Sequence, residues 1–210
     1  MYIPPINKAT DIEETIAFMK QFSFATIITA KDNLPEATHL PFIVTVKNDK
    51  IILTSHFAKA NRQWENIETE KVLVIFTEPH AYISPSNYEK ELNVPTWNYI
   101  AIHAYGQGKI ITDTATTLTI LEATIDNYEK PYRQQWNNFP IDYKVKMANG
   151  IVAFEMVVTD LQAKKKLSQN RTTIEKENII QHLSASTVTN EILIADFMKR
   201  EQIKSGAANE

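Results

Sequence analysis

One segment of this 210-residue chain reads Val94-Pro95-Thr96-Trp97-Asn98-Tyr99-Ile100-Ala101-Ile102-His103-Ala104-Tyr105-Gly106, and it decides the fold. Side chains along a strand point alternately to opposite faces. One face carries Asn98, Ile100, Ile102 and Ala104, and the other carries Trp97, Tyr99, Ala101, His103 and Tyr105. A strand with one solvated face alternates apolar with polar residues, and this one does not. We expect a long strand whose second face is covered by a partner subunit or a flat aromatic ligand.

Further strands and helices are predicted on both sides of this segment. Alternating apolar patterns predict strands over residues 24–30, 37–46, 50–56, 72–77, 96–113 and 151–161. Helices are predicted over residues 11–22, 58–70, 114–129, 175–183 and 188–199. Short turns between the early strands indicate an antiparallel meander. The sequence predicts a mainly β protein with flanking helices (α+β), built on a closed or half-closed barrel.

The predicted organisation is one main domain with a tail. Residues 1–171 are predicted to form the barrel domain, and residues 172–210 a C-terminal helical extension packed on that domain. The chain has no segment that resembles a signal peptide or a membrane span, so we expect a cytoplasmic protein that does not enter the membrane.

Composition excludes several kinds of chemistry. The chain has no cysteine, which rules out disulfides, thiolate zinc sites and a cysteine nucleophile. Its five histidines are scattered singly, so no metal site is predicted. A net charge of −3 provides no overall attraction to nucleic acid. The four glycines cannot build a dinucleotide fingerprint or a Walker loop, and Gly106-Gln107-Gly108 is interpreted as a bulge or turn in the long strand.

A second segment suits an anionic ligand. Thr54-Ser55-His56-Phe57-Ala58-Lys59-Ala60-Asn61-Arg62-Gln63-Trp64 follows an apolar strand and collects hydroxyls, an imidazole, an amide and two cations. These groups are the donors that a phosphate needs. The strongest basic run is Lys164-Lys165-Lys166-Leu167-Ser168-Gln169-Asn170-Arg171, for which a solvated surface is the simpler interpretation.

Six ordered blocks resemble the motifs of the PaiB family, over about residues 1–183. They are Met1-Tyr2-Ile3-Pro4, Thr38-His39-Leu40-Pro41-Phe42, His56-Phe57-Ala58-Lys59-Ala60-Asn61-Arg62-Gln63-Trp64, Pro79-His80-Ala81-Tyr82-Ile83-Ser84-Pro85-Ser86, Val94-Pro95-Thr96-Trp97-Asn98-Tyr99 and Lys166-Leu167-Ser168-Gln169-Asn170-Arg171. The family is described as FMN-binding negative transcriptional regulators. The resemblance therefore implies an antiparallel FMN-binding split β-barrel, usually a homodimer with the flavin between protomers.

Three residues depart from the commoner family forms. Ser55 stands where a glycine is commoner, Lys59 where an arginine is, and Asn87 where a tryptophan is. A lysine keeps the positive charge of arginine but lacks its two-pronged contact with a phosphate.

The resemblance and the residue chemistry together predict a flavin site. FMN joins a phosphate dianion to a flat apolar ring, so its site needs cations and hydroxyls at one end and apolar walls at the other. We expect Thr54, Ser55, Lys59 and Asn61 at the phosphate, and backbone groups of His39 and Leu40 at the ring edge, with His56 nearby. The site is expected to be closed from the partner subunit by Trp97, by Tyr82 or by the segment that carries Lys166, Gln169 and Arg171.

Three functions remain open from the sequence. The first is an FMN-binding homodimer that acts as a transcriptional regulator. The second is an FMN-dependent oxidoreductase, a flavin reductase or oxidase, in which His39 or His56 supports proton transfer. The third is a dimer whose flavin site has decayed, against which the presence of Lys59 and Asn61 speaks. The helix over residues 188–199 carries Glu191 and Asp196, so we predict no sequence-selective DNA binding by the isolated protein.

Overall fold

A computed structural model describes residues 1–207 of the chain. The strands are β1 (Phe24–Lys31), β2 (Leu34–Pro41), β3 (Ile43–Lys47), β4 (Lys50–Ala58), β5 (Val72–Ile83), β6 (Thr96–Ile110) and β7 (Ile151–Lys166). The α-helices are α1 (Ile12–Gln21), α2 (Thr114–Tyr128), α3 (Tyr132–Asn137), α4 (Ile141–Ala148), α5 (Thr173–Ser184) and α6 (Thr189–Ala207). Short 3-10 turns cover Pro5–Asn7, Arg62–Asn66 and Pro85–Asn87. The predicted tail over residues 172–210 extends beyond this range, since residues 208–210 lie outside the described part.

The chain divides into two compact units. The barrel unit comprises residues 13–76 and 103–162, and the terminal unit comprises residues 1–12, 77–102 and the described residues from Ala163 onward. The barrel unit therefore contains all of β1 to β4, and the terminal unit contains α5 and α6. The domain boundary predicted between residues 171 and 172 stays a prediction.

The seven strands form one antiparallel sheet in the order β2-β1-β5-β6-β7-β4-β3. β2 and β3 lie at opposite ends of this order, yet only Phe42 separates them in the chain. The sheet must therefore curl until its two ends approach each other. A hydrogen bond confirms the approach, because the Ser55 hydroxyl on β4 donates to the Pro41 carbonyl on β2 over 2.6 Å. The predicted half-closed barrel is confirmed in this form.

Aromatic side chains fill the core of the barrel unit. Phe42, Phe57, Phe76 and Phe154 are all fully buried. The ring centroids of Phe57 and Phe154 are 5.1 Å apart, and Phe42 lies 6.0 Å from Phe76 in an edge-to-face arrangement. Such ring pairs stabilise the folded state by more than the burial of their apolar area alone would provide. Phe42, at the junction of the two end strands, thereby anchors the closure of the sheet.

Several predicted boundaries were wrong. The single strand predicted over residues 37–46 is two strands, because the chain turns at Phe42 from one end of the sheet to the other. The helix predicted over residues 58–70 is reduced to the turn Arg62–Asn66, since polar side chains there bond to neighbouring strands. Helices α3 and α4 were not predicted, and each begins directly after a proline.

The two apolar faces predicted for strand β6 are unequally buried within one chain. Ile100, Ile102 and Ala104 are buried on one face, whereas Trp97 on the other face is 51% exposed. Gly106 is needed for close approach: a Cβ atom there would lie 2.3 Å from the Val157 carbonyl oxygen. No described glycine has a positive φ, so this one serves packing.

Within residues 1–207, no helix has both the length and the apolar character needed to span a membrane.

Candidate functional site

Strand β4 brings two hydroxyl groups into the barrel unit. Thr54 and Ser55 are both buried, at 7% and 3% exposure. Ser55 already donates its proton to the Pro41 carbonyl, so its oxygen retains only acceptor capacity. Thr54 lies opposite Ile43 on β3 and Glu155 on β7. Of the two predicted phosphate hydroxyls, Thr54 is therefore the better donor.

Lys59 follows β4 and combines a fixed backbone with an available charge. Its N–H donates to the Gly150 carbonyl over 2.9 Å. Its carbonyl accepts from the indole N–H of Trp64 over 3.1 Å. The side chain is exposed, and its ammonium has no protein partner among the described residues. A lysine whose backbone is fixed and whose ammonium group is free is well suited to bind a phosphate.

Asn61 is largely occupied by contacts within the protein. Its Oδ1 accepts from the Gln63 backbone N–H over 3.1 Å, which caps the turn Arg62–Asn66. Its Nδ2 donates to the Thr38 hydroxyl over 2.8 Å. One amide hydrogen remains for a ligand. Asn61 therefore links the loop after β4 to β2 as well as being a candidate donor.

His39 and Leu40 lie on β2, at one end of the strand order. Leu40 is buried opposite Ala25, while His39 is exposed opposite Thr26. The His39 ring lies 6.4 Å from the ring of Phe24. A strand at the end of a sheet keeps backbone groups that no ladder partner uses. This position suits the predicted contact of the backbone with the edge of a flavin ring.

His56 is partly buried on β4, opposite Ala153 on β7. Burial lowers its pKa below the ordinary value of 6.5, because an apolar environment disfavours the charged ring. Burial lowers the pKa of His103 on β6 as well. The Nδ1 atom of His103 is buried and has no protein hydrogen-bond partner among the described residues.

These two histidines predict how folding stability depends on pH. Both histidines are harder to protonate in the folded chain than in the unfolded chain. The unfolded state therefore binds more protons as the pH drops below about 6.5, and the free energy of unfolding should fall. His56→Gln should reduce this slope, because one of the resisting groups is gone. Urea denaturation at pH 7.5, 6.5 and 5.5 measures it, above the range where most carboxyl groups titrate. Equal slopes for the two chains would contradict the role of His56.

The terminal unit presents a cluster of exposed aromatic rings. Trp97 lies 5.9 Å from Tyr82 and 5.6 Å from His80 between ring centroids. Trp97 and Tyr82 are each about half exposed. We call these three side chains the aromatic cluster. Two of the predicted site residues, Tyr82 and Trp97, are thus in contact with each other.

The other three predicted residues of this unit line a cavity of about 340 Å³. Lys166 donates to the Thr96 hydroxyl. Arg171 donates to Asn93 over 2.8 Å, with its guanidinium 3.6 Å from the ring centre of Tyr88. Gln169 caps its own loop: its amide donates to the Lys165 carbonyl and accepts from the Leu167 N–H. All three thus have contacts within the protein.

The predicted site residues therefore fall into two groups. His39, Leu40, Thr54, Ser55, His56, Lys59 and Asn61 belong to the barrel unit, and Tyr82, Trp97, Lys166, Gln169 and Arg171 to the terminal unit. Asn87, which replaces the commoner tryptophan, is buried and donates to the Ser84 carbonyl. Thr38 and Gln63 belong to the quoted motifs, but sequence reasoning gave them no role. Among residues 1–207, no three His, Asp or Glu side chains are grouped as a metal ion would require.

The curled antiparallel sheet is a split β-barrel, and two solved structures share this fold. The flavocytochrome Anf3 from Azotobacter vinelandii has a TM-score of 0.59 at 15% identity, covering 75% of this chain and 68% of that one. The FAD and heme binding protein from Mycobacterium smegmatis has a TM-score of 0.60 at 13% identity, covering 76% and 73%. At this identity the similarity concerns the fold.

Sequence comparison identifies the family. The family model described as a putative FMN-binding domain matches residues 1–160. The protease synthase and sporulation protein PAI 2 of Bacillus subtilis (strain 168) is 40% identical over 205 residues, which are 95% of this chain and 97% of that protein. The chain therefore belongs to the PaiB family and carries its FMN-binding domain. The resemblance found in the sequence motifs is confirmed, with FMN as the family's cofactor.

Proposed function

We propose that the chain is a cytoplasmic homodimer that binds FMN in its barrel unit and acts as a regulator of the PaiB type. The single observation that carries the proposal is the environment of Lys59. Hydrogen bonds fix its backbone at both the N–H and the carbonyl. Its ammonium is exposed and has no protein partner among the described residues. A fixed and unpaired cation after β4 is what the phosphate of FMN requires.

The residues of the barrel unit fit both ends of FMN. Lys59, Thr54 and the remaining amide hydrogen of Asn61 would hold the phosphate, while backbone groups of His39 and Leu40 would meet the ring edge. Ser55 would contribute an acceptor to the ribityl hydroxyls rather than a donor to the phosphate. The five residues of the terminal unit would close the site from the partner subunit. Bound FMN would supply one- or two-electron redox chemistry.

A spectrum and a titration test this proposal. The purified protein should show flavin absorption, or should acquire it when FMN is added to the stripped protein. FMN should bind more tightly than riboflavin, because riboflavin lacks the phosphate. It should also bind more tightly than FAD, because the site offers one cation and a few hydrogen-bond donors, which match a single phosphate. Equal titration curves for FMN and riboflavin would refute the phosphate site.

His56 favours a second candidate, an FMN-dependent oxidoreductase. Its burial lowers its pKa, so the ring is neutral at neutral pH and can accept a proton. It shares a face of β4 with Thr54, which is two residues earlier on the strand. Multiple turnovers of NADH or NADPH oxidation with bound FMN would favour the enzyme. Failure to reduce the flavin with either nucleotide would favour the regulator.

The regulator we propose acts without reading DNA sequence itself. A basic stripe would need Lys164, Lys165, Lys166 and Arg171 to face solvent. Lys164 is only 8% exposed, and Lys165 pairs with Glu201 over 2.9 Å. Lys166 and Arg171 have the contacts described above. The run that looks most basic in the sequence therefore presents little free charge to a phosphate backbone.

We expect no tight, sequence-selective DNA binding by the isolated dimer near physiological salt. Regulation would then be indirect or would depend on a partner protein. Fluorescence anisotropy with a promoter duplex and its scrambled version measures this, at several salt concentrations. Nanomolar binding to the promoter duplex alone would contradict the expectation.

A further inference from the structure

A buried glutamine connects the loop after β4 to two strands of the barrel unit. Gln63 is 0% exposed. Its Oε1 accepts from the Thr38 hydroxyl on β2 over 2.6 Å. Its Nε2 lies 3.0 Å from the Glu36 carbonyl on β2, and 3.3 Å and 3.2 Å from the Ile27 carbonyl and the Thr29 hydroxyl on β1. The side-chain amide thus bridges the β1–β2 ladder.

This fully buried side chain has no free amide hydrogen for a ligand. Its carbonyl oxygen has a hydroxyl donor, and its two amide hydrogens face three acceptors. A buried amide without partners would cost several kcal/mol, so full satisfaction makes this amide a strong positional constraint. The cation of the proposed site is four residues earlier in the same loop, at Lys59.

Two further bonds extend the constraint along the loop. Thr38, which donates to Gln63, also accepts from the Asn61 amide over 2.8 Å. The neighbouring Trp64 donates its indole N–H to the Lys59 carbonyl. We call Thr38, Asn61 and Gln63 the hydrogen-bonded triad. Thr38 directly precedes His39 and Leu40, so the triad joins the loop of Lys59 to the strand proposed to contact the ring edge.

We propose that Gln63 is a positioning residue for phosphate recognition, which holds the loop so that Lys59 meets the phosphate of FMN. The inference rests on the proposed function, since it assumes that Lys59 binds this phosphate. Gln63 itself touches no part of the ligand. Its loss should therefore reduce the preference for FMN over riboflavin, rather than flavin binding as a whole.

Gln63→Met tests the inference, because methionine has nearly the same length and volume but cannot make these hydrogen bonds. We expect FMN affinity to fall at least tenfold and riboflavin affinity to change less than threefold. A purely structural role would lower the thermal midpoint and leave the ratio of the two affinities unchanged. Thr117→Val is the matched control, since it removes a buried hydroxyl from α2, which carries no proposed flavin contact. Its affinity ratio should equal that of the unmodified chain.

A second pair of variants covers the case in which Gln63→Met does not fold. Thr38→Val removes the hydroxyl at nearly constant volume, whereas Thr38→Ser keeps it. The valine variant should lose the preference for FMN and the serine variant should retain it. Equal ratios for these two variants would overturn the inference.

A double-mutant cycle shows whether Gln63 acts through Lys59. In a Lys59→Ala background, Gln63→Met should reduce FMN affinity by no more than twofold, since the contact that it positions is already absent. Independent, multiplicative losses would refute the positioning role. If the unmodified chain itself does not prefer FMN over riboflavin, the proposed function fails and the inference falls with it. A clear preference in that chain that survives in Gln63→Met refutes the inference alone.

Discussion

Replacing Lys59 by alanine should weaken FMN binding ten- to hundredfold. The change removes a charge-assisted hydrogen bond to the phosphate, which contributes about 1.5–3 kcal/mol. The side chain is exposed, so its removal should leave the fold intact. Titration of the stripped protein, followed by flavin fluorescence, gives the dissociation constants. Riboflavin affinity should barely change, because the lost contact is made to the phosphate alone.

Two control variants sharpen this test. Lys59→Arg restores the residue that is commoner in the family, and it should bind FMN at least as tightly because guanidinium can contact a phosphate with two N–H groups. Lys50→Ala removes another exposed lysine, at the start of the same strand β4, and should leave the affinity unchanged. If Lys59→Ala binds FMN as well as the unmodified chain, the phosphate end of the site has been placed wrongly.

The sequence predicted the barrel because its strands carry strong local patterns. Alternating apolar residues and short turns gave approximate positions for β1, β4 and β6. The break between β2 and β3 was not predictable in this way, because Phe42 continues the alternation of its neighbours. It turns the chain only because the two ends of the sheet meet there, which is a long-range property.

The candidate site shows the same division between local and long-range information. Lys59 and Thr54 were found because residue types that suit phosphate cluster in one segment. Gln63 was missed because its partners lie 25 to 36 residues earlier in the chain, and nothing local distinguishes it from a surface glutamine. Only the turn that carries Gln63 had a local signal, because a small polar cluster after a strand predicts a capped turn rather than a helix.

The basic run over residues 164–171 was interpreted as a solvated surface, and packing changes that interpretation. β7 continues to Lys166, so the strand carries the first three lysines into a folded environment. Lys164 is held with its ammonium 5.1 Å from the centre of the Tyr99 ring and 5.9 Å from that of Tyr2. A charge run in the sequence does not distinguish solvated lysines from those that pack on aromatic rings.

Two lysine substitutions on β6 should have different consequences, because its two faces have different neighbours. Ile102 is 1% exposed, so Ile102→Lys buries an unpaired charge. This costs several kcal/mol, out of a total stability of about 5–15 kcal/mol, and should leave the chain largely unfolded. Tyr99 lies on the opposite face, is only partly buried, and follows the exposed Trp97 by two residues. Tyr99→Lys removes a ring on which the Lys164 ammonium packs but no fully buried side chain, so it should disrupt the partner surface more than the core.

Circular dichroism and light scattering separate the two outcomes. Ile102→Lys should lose the folded spectrum and its cooperative thermal transition, whereas Tyr99→Lys should keep both and change from the mass of a dimer to that of a monomer. Leu34→Lys is the matched control, since it places the same charge on an exposed apolar residue of the β1–β2 hairpin. The aromatic cluster is the reason for expecting a partner, because half-exposed aromatic rings on a sheet mark an interaction surface. A monodisperse monomer of the unmodified chain at micromolar concentration would refute the predicted dimer.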